Sequence, residues 1–136
     1  MTTKIRPELS KKSKYYISKH RYYELKHFVQ QYPEWVDEIK FIDSMVRASK
    51  DGIKLNNIPD PVGKAVERRV QYTKNIYICD EVAKETDPVL GEYILRSIIA
   101  GDSYSKIKAR LGIPCSKDMY YDRYHKFFWL LDKARK

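Results

Sequence analysis

The side chains best suited to chemistry lie in the last third of the chain, where positive, hydroxyl and imidazole groups recur. Ammonium and guanidinium groups can neutralise phosphates, and hydroxyl or imidazole groups can bond to the edges of bases. The groups fall on two neighbouring stretches, residues 106–110 and 116–125. The candidate contact residues for a polyanion are Lys106, Lys108, Arg110, Ser116, Lys117, Tyr121, Arg123 and His125.

A turn between two predicted helices would hold these side chains in place. Ser103 predicts the N-cap of a short helix, and Gly112 predicts its end, because glycine readily adopts the left-handed conformation. The next helix is predicted to begin near Ser116 and to run almost to the end of the chain. The predicted core residues around the turn are Ile107, Leu111 and Ile113. This layout predicts a helix-turn-helix, a motif that places its second helix in the major groove of double-stranded DNA.

The two helices are expected to make different contacts. The cations of the short helix, Lys106, Lys108 and Arg110, are expected to meet phosphates. The first turns of the last helix carry the residues expected near base edges, which are Lys117, Tyr121, Arg123 and His125. Asp118 and Asp122 repel phosphate, so we do not expect this helix to lie flat along the DNA backbone.

Positive charge is concentrated at both ends of the chain. The formal net charge is +9, and residues 1–31 and 104–136 each contribute +6, whereas residues 32–103 contribute −3. DNA or another polyanion is the simplest partner for such ends. A solvated, lysine-rich surface is the alternative interpretation.

Composition and hydrophobic spacing predict an all-α fold with about six helices. The chain is 43% hydrophobic and contains only 5 Gly and 6 Pro. Residues 1–17 are predicted to form a flexible basic arm, residues 18–100 a helical N-terminal and middle region, and residues 101–136 the helix-turn-helix. These parts are expected to pack as a single domain.

The first two helices are predicted to pack as an N-terminal helical hairpin. The first runs from a cap at Ser18 to about Gln31, and the second runs from Pro33 to about Ala48. Their inward residues are predicted to be Tyr22, Leu25, Phe28 and Val29, then Val36, Ile39, Ile42, Met45 and Val46. After a loop over residues 49–59, Asp60-Pro61 and Asp87-Pro88 each predict a helix start. Those helices should end near Glu85 and Ala100.

Aromatic residues are frequent, with 12 Tyr among 136 residues. In each tyrosine pair, such as Tyr22-Tyr23, one ring is expected to face the core and its neighbour to face outward. On the last helix, the predicted core face is Tyr120, Tyr124, Phe127, Leu131 and Ala134. Trp129 falls on the opposite face and is expected to pack on another helix or a second subunit.

Catalytic, metal and membrane functions find little support in the sequence. The two cysteines form no CxxC, the three histidines are scattered, and no phosphate-binding loop or nucleophile elbow occurs. We therefore expect no enzyme activity, no metal and no cofactor. No apolar run is long enough for a membrane span and no signal peptide opens the chain, which favours a cytoplasmic protein. Cys115 lies near a helix start, which could lower its pKa.

Three motifs carry a resemblance to a known family. They are the segment LKHFVQQYP at residues 25–33, the helix start PDPVGKA at residues 59–65, and the C-terminal unit with its aromatic-rich helix. In that unit, the spacing of Gly101-Asp102-Ser103-Tyr104, Ile107 and Leu111-Gly112-Ile113 resembles sigma-factor region 4. The whole layout resembles the RinA/ArpU-like late transcription activators of phages and prophages. The segment Pro114–Asp118 lengthens the turn relative to the usual pattern.

The resemblance implies a regulator that binds a late promoter inside a bacterial host and touches host RNA polymerase. A homodimer is compatible with this function. Two alternatives remain open: a small terminase-like packaging adaptor, and a protein-binding inhibitor or docking module whose basic ends meet acidic protein surfaces.

Overall fold

The computed structural model describes residues 13–52 and 60–136, and within these ranges the regular structure is helical, without strands. The described helices are α1 (Lys19–Gln30), α2 (Tyr32–Gly52), α3 (Asp60–Thr86), α4 (Leu90–Ala100), α5 (Tyr104–Leu111) and α6 (Lys117–Ala134). The predicted all-α class is confirmed, and the six helices of the described ranges agree with the predicted number of about six. Helix α2 continues to Gly52, past the start of the loop expected at 49–59, and residues 53–59 lie outside the described part.

Short polar side chains bond to backbone N–H groups near the predicted helix starts, although α4 begins at Leu90, slightly later than predicted. The Ser18 hydroxyl accepts a hydrogen bond from the backbone N–H of Arg21, and α1 begins at the next residue. Asp87 Oδ1 accepts from the backbone N–H groups of Val89 and Leu90, at 2.9 and 2.8 Å. These bonds satisfy backbone donors that have no partner inside the helix.

The chain divides into two compact units at positions other than the predicted boundaries. The first unit contains the described residues up to Gln31 together with Ile78–Lys136, and the second is Tyr32–Tyr77. Helix α3 contributes residues to both units.

The first unit is built around α4, which packs against α1, α5 and α6. Helix α1 also packs against α6. Its buried face is the predicted one, Tyr22, Leu25, Phe28 and Val29. Hydrophobic spacing defines which face of a helix is buried, but it does not define which helix covers that face.

Buried tyrosines on α6 bond to hydroxyl groups of two other helices. The Tyr124 hydroxyl lies 2.7 Å from that of Tyr22 on α1, and the Tyr120 hydroxyl bonds to Ser97 on α4. Ser97 in turn donates to the carbonyl of Ile94 at 2.7 Å. Burial raises the pKa of Tyr120 and Tyr124 well above the ordinary value. Both hydroxyl groups therefore stay protonated and can take part in these hydrogen bonds.

The buried apolar side chains among the described residues of the second unit are Trp35, Ile42 and Ala65. Of the predicted inward residues of α2, only Ile42 is buried, and Val36, Ile39, Met45 and Val46 are half-buried. Arg69 donates two hydrogen bonds to Asp43, at 2.5 and 3.2 Å, and this pairing lowers the pKa of Asp43.

The close approach of α3 and α4 yields the first testable prediction. A Cβ atom at Gly91 would lie 1.8 Å from the carbonyl oxygen of Ala83, which is backbone and cannot move aside. We expect Gly91→Ala to destabilise the first unit by at least about 2 kcal/mol in urea unfolding. The control is Gly63→Ala, where the added Cβ meets nothing within 4 Å and should gain up to about 1 kcal/mol. Equal stability of the two variants would contradict the close approach.

Candidate nucleic-acid interface

The predicted turn between the last two helices is present and capped at both sides. Gly112 has φ 64° and ψ 45°, the left-handed conformation, and its N–H donates to the carbonyl of Lys108 at 2.9 Å. Ile113 folds back into the core, with 3% of its surface exposed. The Ser116 hydroxyl accepts from the N–H of Met119 at 3.2 Å and starts α6. The prediction for Leu111 is wrong, since this side chain is 37% exposed.

The hydroxyl groups of two tyrosines connect the turn and its two helices by hydrogen bonds. The Tyr104 hydroxyl donates to the carbonyl of Cys115 at 2.6 Å, which ties the start of α5 to the turn. The backbone N–H of Tyr104 donates to the Tyr121 hydroxyl at 3.3 Å, which ties α5 to α6. The role of Tyr104 was not predicted, because its partners come from the far side of the turn.

The cations of α5 are all exposed but differ in their surroundings. Lys106 and Lys108 make no ion pair with a described residue, although Lys108 Nζ lies 5.7 Å from the centre of the Tyr104 ring. A guanidinium nitrogen of Arg110 lies 2.7 Å from Asp102 Oδ2. The two groups form an ion pair but no hydrogen bond, since Asp102 Oδ2 has no hydrogen-bond partner among the described residues. The positive charge of Arg110 is therefore partly offset.

The candidate residues at the start of α6 are mostly engaged within the protein. Lys117 is exposed and makes no ion pair with a described residue. The Ser116 hydroxyl accepts a hydrogen bond as the N-cap of α6, and Tyr121 is half-buried with its hydroxyl bonded to the start of α5. Of the residues expected near base edges, Lys117 is thus the one placed outward as predicted.

Arg123 links α6 to the start of α4. Its Nε lies 3.2 Å from Asp87 Oδ2, and another guanidinium nitrogen pairs with Asp122. Partial burial acts to raise the pKa of Asp87, but hydrogen bonds from Leu90, Val89 and Arg123 outweigh it and lower that pKa below the usual range. Arg123 is therefore positioned to hold helices together, and its charge is shared with two carboxylates.

Burial shifts the pKa values of His125 and of the two cysteines. His125 is half-buried, and burial lowers its pKa, so the imidazole is neutral near pH 7 and adds no charge for a phosphate. Burial also raises the pKa of Cys115, which is opposite to the expected helix-terminus effect. Burial raises the pKa of Cys79 to about 12.

The segment before α1 covers Trp129 on the outer side of α6. The Tyr15 ring centre lies 5.6 Å from that of Trp129, and Lys133 Nζ lies 3.4 Å from the Trp129 ring centre. Trp129 was expected to meet a helix or a second subunit, and it meets the residues that precede the first helix. Ile17 is buried as well, so residues 13–17 of the predicted flexible arm pack on the protein. The remainder of that arm, residues 1–12, lies outside the described part.

Comparison with known proteins adds no family name to this arrangement. No protein-family model, curated protein or solved structure matches the chain. Within the described ranges, no helix is both long and apolar enough to cross a membrane. The same ranges contain no group of three or more His, Cys, Asp or Glu side chains placed to hold a metal ion. The interpretation of the site therefore depends on its geometry and charge.

The left-handed glycine of the turn gives a prediction about its stability. A side chain at Gly112 would meet open space, so the cost of a substitution comes from backbone strain alone. We expect Gly112→Val to destabilise the first unit by about 1–3 kcal/mol, measured by thermal unfolding. Gly112→Asn is the control, since asparagine tolerates this conformation, and its cost should be clearly smaller. Equal costs for both variants would argue against the strained turn.

The capping carboxylate of α4 predicts a pH dependence. Because the folded state lowers the pKa of Asp87, its stabilising effect is complete above about pH 4 and is lost as the pH falls through the folded-state value. Asp87→Asn keeps a capping oxygen but removes the charge. The stability difference between wild type and Asp87→Asn should therefore be largest near neutral pH and should shrink in acid. A difference independent of pH in urea unfolding would contradict this role.

Proposed function

We propose that this protein is a DNA-binding transcription regulator of the late-activator type, which uses α5, the turn and α6 as its helix-turn-helix. The observation that carries the proposal is the capped turn with three outward lysines around it, Lys106, Lys108 and Lys117. Each ammonium group is free of ion pairs with described residues. The exposed lysines of α5 suit phosphates, and Lys117 at the first turn of α6 suits base edges in the adjoining groove.

Charge along α6 favours contact at its first turn. Asp118 is exposed one residue after Lys117, and it would repel phosphates along the length of the helix. Asp122 is less repulsive, since Arg123 pairs with it. The N-terminal end of α6 combines Lys117 with the positive end of the helix dipole, which favours an anionic partner at that end.

A binding function suits the titratable groups better than a catalytic one. The strongest pKa shifts among the described residues belong to buried tyrosine hydroxyls bonded to other hydroxyls and to a buried thiol. Catalytic groups with shifted pKa values would be expected to converge in an open cleft. A regulator of this type would work on double-stranded DNA in a bacterial cytoplasm, with host RNA polymerase as its further partner.

The proposal predicts which lysines hold DNA. Fragments of bacterial and phage genomic DNA retained by the purified protein would serve as specific DNA, with random duplex as the reference. Lys106→Ala combined with Lys108→Ala should weaken binding to both. It should also reduce the slope of log affinity against log salt by about 2, because two fewer phosphates are neutralised. Lys117→Ala should reduce the preference for the retained fragments, typically by about 1–3 kcal/mol.

A matched control tests whether any lost lysine would have the same effect. Lys84 is exposed in the first unit and lies near Asp80, Asp87 and Glu92, surroundings that do not suit a phosphate. Lys84→Ala should leave both affinity and salt slope close to wild type, and circular dichroism should confirm the fold of every variant. Equal effects of Lys84→Ala and the α5 pair, or a flat salt response of the wild type, would contradict the proposal.

A further inference from the structure

Helix α3 carries an exposed apolar stripe in the second unit. The stripe consists of Val66, Val70, Thr73 and Tyr77, whose spacing of four, three and four residues puts them on one face of the helix. Val66, Val70 and Tyr77 are 42%, 50% and 64% exposed. Scattered exposed apolar residues are normal, but a regular helical stripe is the pattern that packs against another helix.

The described part of the second unit, which consists of α2 and residues 60–77 of α3, contains few buried apolar side chains. These described side chains by themselves provide little hydrophobic stabilisation. Covering the stripe would add a second apolar layer to this unit.

Thr73, the polar residue of the stripe, already has a hydrogen-bond partner for its hydroxyl. The Thr73 hydroxyl donates to the carbonyl of Arg69 on its own helix, at 2.9 Å. A buried hydroxyl without a partner is costly, whereas this one is already satisfied. A neighbouring helix can therefore cover Thr73 without leaving an unpaired donor.

Charged residues beside the stripe indicate which partner fits it and in which direction the partner's helix runs. Glu67 and Lys74 lie along one edge, both exposed and without an ion pair to a described residue. Arg69 lies along the other edge, where Asp43 holds it. Glu67 and Lys74 occupy equivalent positions of successive heptads. If a second copy packs its α3 in the antiparallel direction, Glu67 of each copy lies opposite Lys74 of the other. A parallel copy would instead bring Arg69 opposite Lys74, which are like charges.

We propose that the stripe is a self-association surface, on which a second copy of this chain packs its own α3 in the antiparallel direction. Val70 then faces Thr73 of the second copy, and Val66 faces Tyr77 of the second copy. The stripe is shorter than a standard protein interface, so we expect a reversible dimer with a dissociation constant of about 1–100 µM. This proposal is independent of DNA binding, because its test contains no DNA.

Sedimentation of the full chain over about 5–500 µM tests the association directly. The wild type should shift from monomer to dimer across this range. Val70→Glu places a charge in the middle of the stripe and should weaken the dimer at least about tenfold. Val89→Glu is the matched control, because Val89 is 59% exposed in the first unit, and it should leave the dimer unchanged. A wild type that remains monomeric throughout, or equal effects of the two variants, would overturn the proposal.

Charge reversal tests the direction of the two helices. Glu67→Lys and Lys74→Glu should each weaken the dimer about two- to fivefold, and the double variant should restore it. In a parallel dimer, Lys74→Glu would strengthen association by placing a carboxylate opposite Arg69. A strengthened Lys74→Glu dimer, or a double variant no better than the single ones, would therefore overturn the antiparallel arrangement. Thermal unfolding of each variant confirms that the monomer is intact.

Discussion

The rotation of α6 about its own axis is fixed by two buried hydroxyl pairs, and the rest of the first unit depends on this constraint. Tyr120 bonds to Ser97 on α4, and Tyr124 bonds to Tyr22 on α1. Turning the helix would leave several buried hydroxyls unsatisfied, at about 1–3 kcal/mol each. With α6 held in this way, Lys117 lies outward while Tyr121 and His125 are half-buried. The packing of the core thus determines which side chains of α6 are exposed at the candidate interface.

Arginine and lysine differ in how often they pair with carboxylates, and this difference determines how much positive charge the helix-turn-helix presents to a partner. The described arginines that form ion pairs with carboxylates are Arg21, Arg69, Arg96, Arg110 and Arg123. The planar guanidinium suits such fixed pairs, whereas the flexible ammonium of lysine stays hydrated. Lys106, Lys108 and Lys117 keep a charge that no carboxylate among the described residues offsets, and in the proposed function this is the charge that meets DNA.

The two proposals assign different tasks to the two units. The first unit contains the helix-turn-helix, and the second contains the stripe of α3 proposed to bind a second copy. A symmetric dimer would carry two helix-turn-helix motifs, and symmetric dimers of this kind read paired half-sites in DNA. A weak dimer also makes DNA binding depend on protein concentration, since two copies must associate before both half-sites are filled.

Local features of this protein were determined by the sequence alone. The N-caps at Ser18 and Ser103, the start of the last helix near Ser116 and the left-handed Gly112 follow from bonds within a few residues, and each was predicted correctly. The buried faces of α1 and α6 were also largely predictable, because helical periodicity shows which side is apolar. Ala134 is an exception, since it is exposed in the last turn of α6.

Pairings between distant residues were decided only by the tertiary structure. The packing of α1 on α4 and α6, the bond from Tyr104 to Tyr121 and the pair of Arg123 with Asp87 join elements that no local pattern connects. Burial of Phe128 and Trp35 likewise required a neighbouring element to be in place. A sequence specifies how each segment can fold and which face it must hide. Which segments meet depends on the simultaneous packing of the whole chain, and that decides which candidate contact residues remain free.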